Sequence, residues 1–499
     1  VDANIFPDLP PIMVELTAAE ALPIRRPNYR TTALIIASTL FMEQLDSTVL
    51  ATALPTMARY FSVTPSHMSI ALTSYLLSLA VLIPASGYLA ERFGARSVFS
   101  SAIVIFTLGS ILCAQSPNLT LFVFARLLQG AGGAMMVPVG RLVLLRSVAK
   151  EDLVSAMGWF LVPALIGPIL GPPLGGLIVT YLNWRWIFYI NVPIGVLGLV
   201  LTLFFIQNTR ATARASFDPI GFVLSGVSLS CLLFGFETGS RGVGQLSSAV
   251  ILIATGLVSG AAYVLYALRQ HRIIPILDLN LLRVRTFRVS LIAGSLSRIT
   301  QGAQPFLLPL MMQLAFGMSA AESGLLTFAT ACGAMTMKAA AAPILRRFGF
   351  RGTLIVNGVL GSLLYATCAA FRPEWPYWAM FAVLALCGFS MSLQFTAYNV
   401  VAYDDVPRER MAAANSFYTT FQQLMLSFGI CTGALALTLS KIFEGHPHAT
   451  TSDFSTAFLV VTAISLLAAP ACLAYPRTAG DEMSGRRRAR DELEVDAVT

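Results

Sequence analysis

The chain has 499 residues, 56% of them apolar and only 12% charged, with a mean hydropathy of +0.73. That composition excludes a soluble globular domain and a disordered chain and describes a polytopic membrane protein. The net charge of +8 sits mostly in short loops between apolar runs, which makes it a matter of membrane topology and not a nucleic-acid footprint.

Residues 1–31 form a polar, Pro-rich segment expected on the cytoplasmic side, and residues 1–12, which precede Met13, carry no functional reading. No cleavable signal peptide is expected, because the first apolar run is too long and follows a polar leader. Fourteen runs then supply the roughly 20 residues a helix needs to cross about 30 Å of hydrocarbon. They lie at 33–55, 68–90, 97–115, 119–143, 154–181, 186–206, 219–237, 249–268, 289–315, 322–345, 353–371, 377–402, 411–440 and 454–475. The expected fold class is all-α with 14 transmembrane helices, since isolated strands would leave backbone groups unpaired in lipid and no run alternates like an outer-membrane barrel strand.

The first run, ALIIASTLFMEQLDSTVLATALP, carries Glu43 and Asp46. A carboxylate near the bilayer centre costs about 2.5–3.5 kcal/mol unless it meets water, a partner or a proton, so intramembrane acids suggest proton or ion handling. Their three-residue spacing puts both on one helical face. The fourth run contributes Arg126. At 1.5 Å per residue, Asp46 lies about 21 Å from the start of its run and Arg126 about 10 Å from the start of its own, antiparallel, run, so the two can share a level. A neighbouring guanidinium favours an ionised carboxylate and apolar burial disfavours it, so a change that separates the pair can move a proton.

In the fifth run, Gly167, Pro168, Gly171, Pro172, Gly175 and Gly176 predict an unusual helix. Each proline deletes a backbone hydrogen bond, while glycines at 167, 171 and 175 form a smooth stripe for close helix approach. A bent helix at a moving or sealing interface is expected. The ninth run holds Arg298, Gln301 and Gln304 at helical spacing, and the tenth holds Lys338. With Phe395, Tyr398 and Asn399 of the twelfth run and Met311 and Met312 of the ninth, they are the candidate substrate-cavity wall, adaptable and amphipathic. Three intramembrane cations against two acids make that cavity neutral or positive, which suits anionic or zwitterionic compounds, such as carboxylates or their metal chelates, alongside lipophilic cations.

The chain also repeats. Glu91-Arg92-Phe93-Gly94-Ala95-Arg96 after the second run is echoed by Arg346-Arg347-Phe348-Gly349-Phe350-Arg351 after the tenth. The partition that follows is a six-helix bundle over 32–207, a two-helix insert with cytoplasmic linkers over 208–288, a second six-helix bundle over 289–476 and a basic/acidic tail over 477–499. Two parallel repeats about an axis along the membrane normal are a known transporter plan with a mid-membrane substrate site. Most Lys and Arg, including Arg210, Arg214 and the tail cluster Arg486 to Arg490, fall on one side when both termini are cytoplasmic, as the positive-inside rule requires.

Leu45-Asp46-Ser47-Thr48-Val49 through Ala53-Leu54-Pro55 resembles the first-span signature of the fourteen-span drug:proton antiporters of the major facilitator superfamily. Gly87-Tyr88-Leu89-Ala90-Glu91-Arg92-Phe93-Gly94-Ala95-Arg96 resembles the superfamily loop after span two, and Arg126-Leu127-Leu128-Gln129-Gly130 resembles its proton-linked motif. The run from Gly167 to Gly176 resembles the antiporter motif, and Trp184-Arg185-Trp186-Ile187-Phe188-Tyr189-Ile190-Asn191-Val192-Pro193 resembles the family's approach to span six. The resemblance covers most of 33–200 and implies a proton-coupled efflux antiporter of the inner (cytoplasmic) membrane, working by alternating access. It also implies Asp46 and Arg126 in proton coupling, and Gly87, Glu91, Arg92, Gly94 and Arg96, with Arg347 and Arg351 in the echo, as a conformational latch. The family usually has Asp where this chain has Glu91, and a neutral amide where it has Glu43. Glu43 is therefore a second proton carrier, a cation-binding group or a locally paired acid.

An uptake symporter shares this architecture, and only the glycine–proline run argues for antiport. An enzyme is not expected: there is no H-E-x-x-H, G-x-S-x-G or P-loop motif. No channel-like filter loop is visible either. No cofactor and no metal are expected, since the seven cysteines lie in or beside apolar runs without C-x-x-C spacing and Pro447 separates His446 from His448. The expected partners are a small-molecule substrate, protons and the bilayer, with no nucleic acid; the chain is expected to be a monomer, with a periplasmic adaptor left open.

Overall fold

The computed structural model describes residues 29–148, 153–206, 217–241, 243–270, 275–446 and 448–481. The tail cluster Arg486 to Arg490, the segment 1–28, and Arg210 and Arg214 lie outside the described residues. No strand occurs among those described. In chain order the helices are α1 (Arg30–Tyr60), α2 (Pro65–Phe93), α3 (Ala95–Gln115), α4 (Leu119–Ser147), α5 (Leu153–Tyr181) and α6 (Trp186–Phe205). The insert is α7 (Pro219–Gly239) and α8 (Leu246–Arg269). α9 (Arg285–Leu310) passes through a π-helical turn at Met311–Ala315. A single helical stretch, Ala320–Ala370, holds two predicted spans, α10 before Gly349 and α11 after it. α12 (Tyr377–Val401), α13 (Met411–Phe443) and α14 (Thr451–Ala474) complete the chain. Eleven described helices are long and apolar enough to cross a membrane.

The repeated R-F-G-x-R loops share one local solution. Gly94 has φ +94° and Gly349 φ +70°, left-handed values that L side chains rarely adopt, and each reverses the chain between two long helices. The internal echo in sequence is thus an echo in backbone geometry. Within the first bundle α1 packs on α5, and α4 on α2 and α3; in the second, α9 packs on α13, and α10 and α11 on α12. The bundles meet along two seams, α2 against α13 and α5 against α10. α7 also touches both α2 and α13, whereas α8, the least buried span, leans mainly on α7.

Apolar packing differs at the two ends. At the end away from the R-F-G-x-R loops one core joins both bundles: Leu50, Leu54, Met57, Met68 and Phe122 pack with Phe306, Leu307, Leu310, Met311 and Met312. The Gln313 side-chain amide donates across the seam to the Thr52 carbonyl at 3.0 Å. Met311 and Met312, expected in a substrate wall, are fully buried in this seal. At the loop end the cores stay separate, one around Ile36, Phe99 and Val143, the other around Leu345, Leu354 and Val401. The molecule is closed at the far end and open toward the loops.

Candidate functional site

The α1 helix brings Asp46 to mid-depth, where it is 1% exposed and bonded on every side. An Arg126 guanidinium nitrogen lies 2.7 Å from Asp46 Oδ2, while the side-chain amides of Gln129 and Asn191 each donate to Oδ1 at 2.8 Å. A second layer fixes these donors. Arg126 Nε donates to the Ala71 carbonyl at 3.0 Å, Gln129 donates to Ser110 at 2.8 Å, and the Tyr75 ring lies 4.5 Å from the guanidinium carbon. Hydrogen bonds to a charged group contribute about 1.5–3 kcal/mol each, so three donors offset the roughly 2.5–3.5 kcal/mol that a bare intramembrane acid costs. The cage thus satisfies both Asp46 oxygens inside the span.

Glu43, one turn earlier, has a different environment. It is 5% exposed and, among the described residues, has no cation partner and no hydrogen-bond partner for its Oε2. It lines a cavity of about 300 Å³ between the bundles, with Gln44, Ser47, Tyr75 and Arg126 on one wall and Gln301, Pro305, Phe395, Gln422, Gln423 and Leu426 on the other. Arg126 therefore touches both the cavity and the buried Asp46. A second cavity of about 460 Å³ continues from it, sharing Gln301, Pro305, Phe395 and Leu426 and reaching Gln304, Thr48, Thr52, Pro168 and Pro172.

Of the candidate cavity residues, Gln301, Gln304 and Phe395 line this space. Arg298 stands one layer behind it, 3% exposed, donating to the Tyr418 hydroxyl at 3.0 Å and the Gln422 side-chain Oε1 at 3.4 Å; among the described residues its Nε has no partner and no acid pairs with it. Its guanidinium lies 4.8 Å from the Tyr418 ring centre and 5.9 Å from that of Phe395. Three expected residues lie elsewhere. Tyr398 is buried in the second bundle's own core, its hydroxyl 3.1 Å from Cys472 Sγ. Asn399 turns back to the Phe395 carbonyl at 2.6 Å, and Lys338 is exposed and bonds Thr396 at 3.3 Å. Neither lines the two cavities.

The glycines of α5 let it fit closely against α1. A Cβ on Gly167 would lie 2.8 Å from Gln44 Cβ, and one on Gly171 or Gly175 would collide with Thr48 or Val49. Gly176 and Gly324 make the same kind of backbone approach between α5 and α10, meeting Ala320 and Pro172. Among the latch candidates no ion pair forms. Arg92 bonds the Tyr88 hydroxyl, Arg96 donates to the Leu203 carbonyl at 2.6 Å, Arg347 lies 5.7 Å from the Phe348 ring, and a Cβ on Gly87 would meet nothing within 4 Å. That separation accompanies the open loop end.

Sequence reading missed Gln129, Asn191, Ser110 and Tyr75 as parts of the site. The available signal was an amide or hydroxyl inside an apolar run, but such residues also bond their own helix, as Ser47 does with the Gln44 carbonyl.

The family model of the Major Facilitator Superfamily matches residues 36–430 and 290–494. A protein named "Putative multidrug resistance protein MdtD" from Escherichia coli O127:H6 is 39% identical over 409 residues, covering 81% of this chain and 85% of its own length; the protein of the same name from Escherichia coli O6:H1 matches equally. Among solved structures, the POT family transporter PepTSo aligns with a TM-score of 0.67 at 14% identity over 90% of this chain and 98% of its own. A D-xylose-proton symporter gives 0.64 at 15% identity, over 90% and 98% respectively.

Proposed function

Since the chain belongs to the Major Facilitator Superfamily, we propose that it exports small amphipathic compounds in exchange for protons by rocking its two bundles around the central cavity. The observation that carries this reading is the position of Arg126, with one face on the cavity and the other on the buried Asp46 carboxylate. A proton on Asp46 removes the charge that holds the guanidinium, and an ionised Asp46 pulls it back. Proton and substrate thereby act on one group without sharing one contact. Glu43, on the cavity wall with an unpartnered oxygen, is the second proton carrier in this scheme. The names of the relatives support export of drug-like molecules, and the basic loops at the open end support a cytoplasmic assignment for that end in a bacterial inner membrane, with both termini inside.

Alternating access needs contacts that exist in one state only. The far-end seal is one such set. Gly87, Glu91, Arg92, Gly94 and Arg96, with Arg347 and Arg351, are the matching set at the loop end, expected to engage when that end closes. A second reading concerns substrate charge: Arg298 has no acid partner while its neighbours Gln422 and Phe395 line the cavity, which favours anionic or zwitterionic cargo, carboxylates or metal chelates included.

The test is the purified protein in liposomes containing a pH dye, given a proton gradient and then cationic, neutral and anionic compounds. Wild type should move protons when a transported compound is added, and Asp46→Asn should not. Compound flux that persists undiminished in Asp46→Asn, with no proton movement in either protein, would refute coupled antiport.

A further inference from the structure

The membrane-spanning helices bury a third acid that the central site does not use. Glu237 lies two residues before the end of α7, in the two-helix insert, and is 0% exposed. Its two carboxylate oxygens accept from the Ser69 hydroxyl at 2.8 and 2.9 Å, and Oε2 also lies 3.6 Å from the Cys431 thiol. Ser69 belongs to α2 of the first bundle, next to the seal residue Met68; Cys431 belongs to α13 of the second, next to the seal residue Ile430. One carboxylate on the insert is therefore bonded to both bundles at the closed end. No ion pair reaches it among the described residues. The exposed Arg241, beyond the end of α7, is in electrostatic reach of both Glu237 and His67, the latter in the turn that leads into α2. Facing groups are thus Ser69 and the nearby His67 from α2, Cys431 from α13 and Arg241 from its own chain segment; α8 presents Ala249 beside this end of α7.

We propose that Glu237 is a further proton-binding site, separate from the central cavity, whose protonation favours closure of the far end. The bundles cannot part at that end without breaking the bond to Ser69 or the contact to Cys431, and parting them admits water to the carboxylate. Closing them again buries it with no cation in contact, which is costly for a charged acid and far less so for a neutral one. The proton comes from the outer solution while the end is open and is carried into the closed state on a carboxylate oxygen. The insert then acts as a proton-responsive strap across the bundles, in addition to filling lipid-facing space.

This inference rests on the alternating-access reading, and one experiment separates the two. Nitroxide labels at positions 183 and 374, in exposed turns of opposite bundles at the far end, report the closed-to-open ratio by pulsed electron resonance on the full chain in lipid nanodiscs. The logarithm of that ratio changes by up to about one per pH unit for each linked proton. Wild type should close on acidification; Glu237→Gln, which keeps shape and hydrogen bonding, should lose up to about one unit of slope, and Glu237→Asp should retain it. Asp46→Asn should keep the Glu237 component. Wild-type and Glu237→Gln slopes that superimpose would overturn the proton site while leaving rocking intact, and a label distance that never changes would overturn both.

Discussion

Replacing Arg126 by Gln should be more damaging alone than together with Asp46→Asn. The single change leaves Asp46, 1% exposed, with two neutral amide donors in place of a cation. Removing one partner of a buried pair costs about 3–5 kcal/mol because the other charge stays buried. Gln129 and Asn191 remain on Oδ1 and should hold the loss toward the lower bound, about 3 kcal/mol, even though Oδ2 loses its one donor among the described residues. Asp46→Asn in the same chain removes the stranded charge and leaves an amide among amides, so the double variant should recover most of that loss. The assay is thermal inactivation of the purified protein in detergent, followed by the fraction that remains monodisperse, for all four members of the cycle. The expected order is wild type, Asp46→Asn/Arg126→Gln, then Arg126→Gln last, with a coupling energy of about 2 kcal/mol or more. Additive losses would mean that the two side chains do not sense each other, and the argument that one proton on Asp46 frees Arg126 would fall with them.

Gly171→Val should block transport while the protein still inserts, because its side chain meets Thr48 across the α1–α5 contact; trimming Thr48 to Ala should restore part of the flux, and equal flux in Gly171→Val and wild type would refute the packing role. Arg298→Gln should lower transport of anions several-fold more than that of neutral or cationic compounds, and an equal loss for all three classes would show the residue to be structural. Lys338→Ala should change stability by no more than about 0.5 kcal/mol, since its only described bond is an exposed one to Thr396.

The class of the protein and the helices were legible because hydrocarbon imposes a single rule: some twenty apolar residues, all backbone groups paired within the helix. The Gly94 and Gly349 turns were legible because a repeated glycine between two charged residues has few structural uses. Depth was also readable. Counting residues put Asp46 and Arg126 at one level, and the structure joins them. Azimuth was not. Tyr398 follows Phe395 by three residues on α12, yet Phe395 faces the cavity and Tyr398 the bundle core, its hydroxyl on Cys472 of a different helix, because which side of a helix meets which neighbour is set by tertiary packing. Glu237 escaped for a related reason: near the end of an apolar run it reads as an interfacial acid, and only the approach of α2 and α13 makes it buried.

The glycine–proline helix also bears on why this chain should exchange and not leak. α5 lies against α1 through Gly167, Gly171 and Gly175, and against α10 through the Gly176–Gly324 approach. The first contact is within a bundle and beside Asp46; the second is one of the two seams between the bundles. The close fit at these glycines leaves little room for water, and Pro168 and Pro172 line the second cavity on this side. On the proposed mechanism a proton reaching Asp46 comes by way of the central cavity and Arg126, and not along the α1–α5 groove. Side chains larger than glycine at these positions would hold the helices apart and open such a groove. The expected phenotype of Gly175→Ala is accordingly a proton leak without substrate, seen as dye acidification in liposomes that carry the gradient alone, and tight liposomes with that variant would show that the seal lies elsewhere.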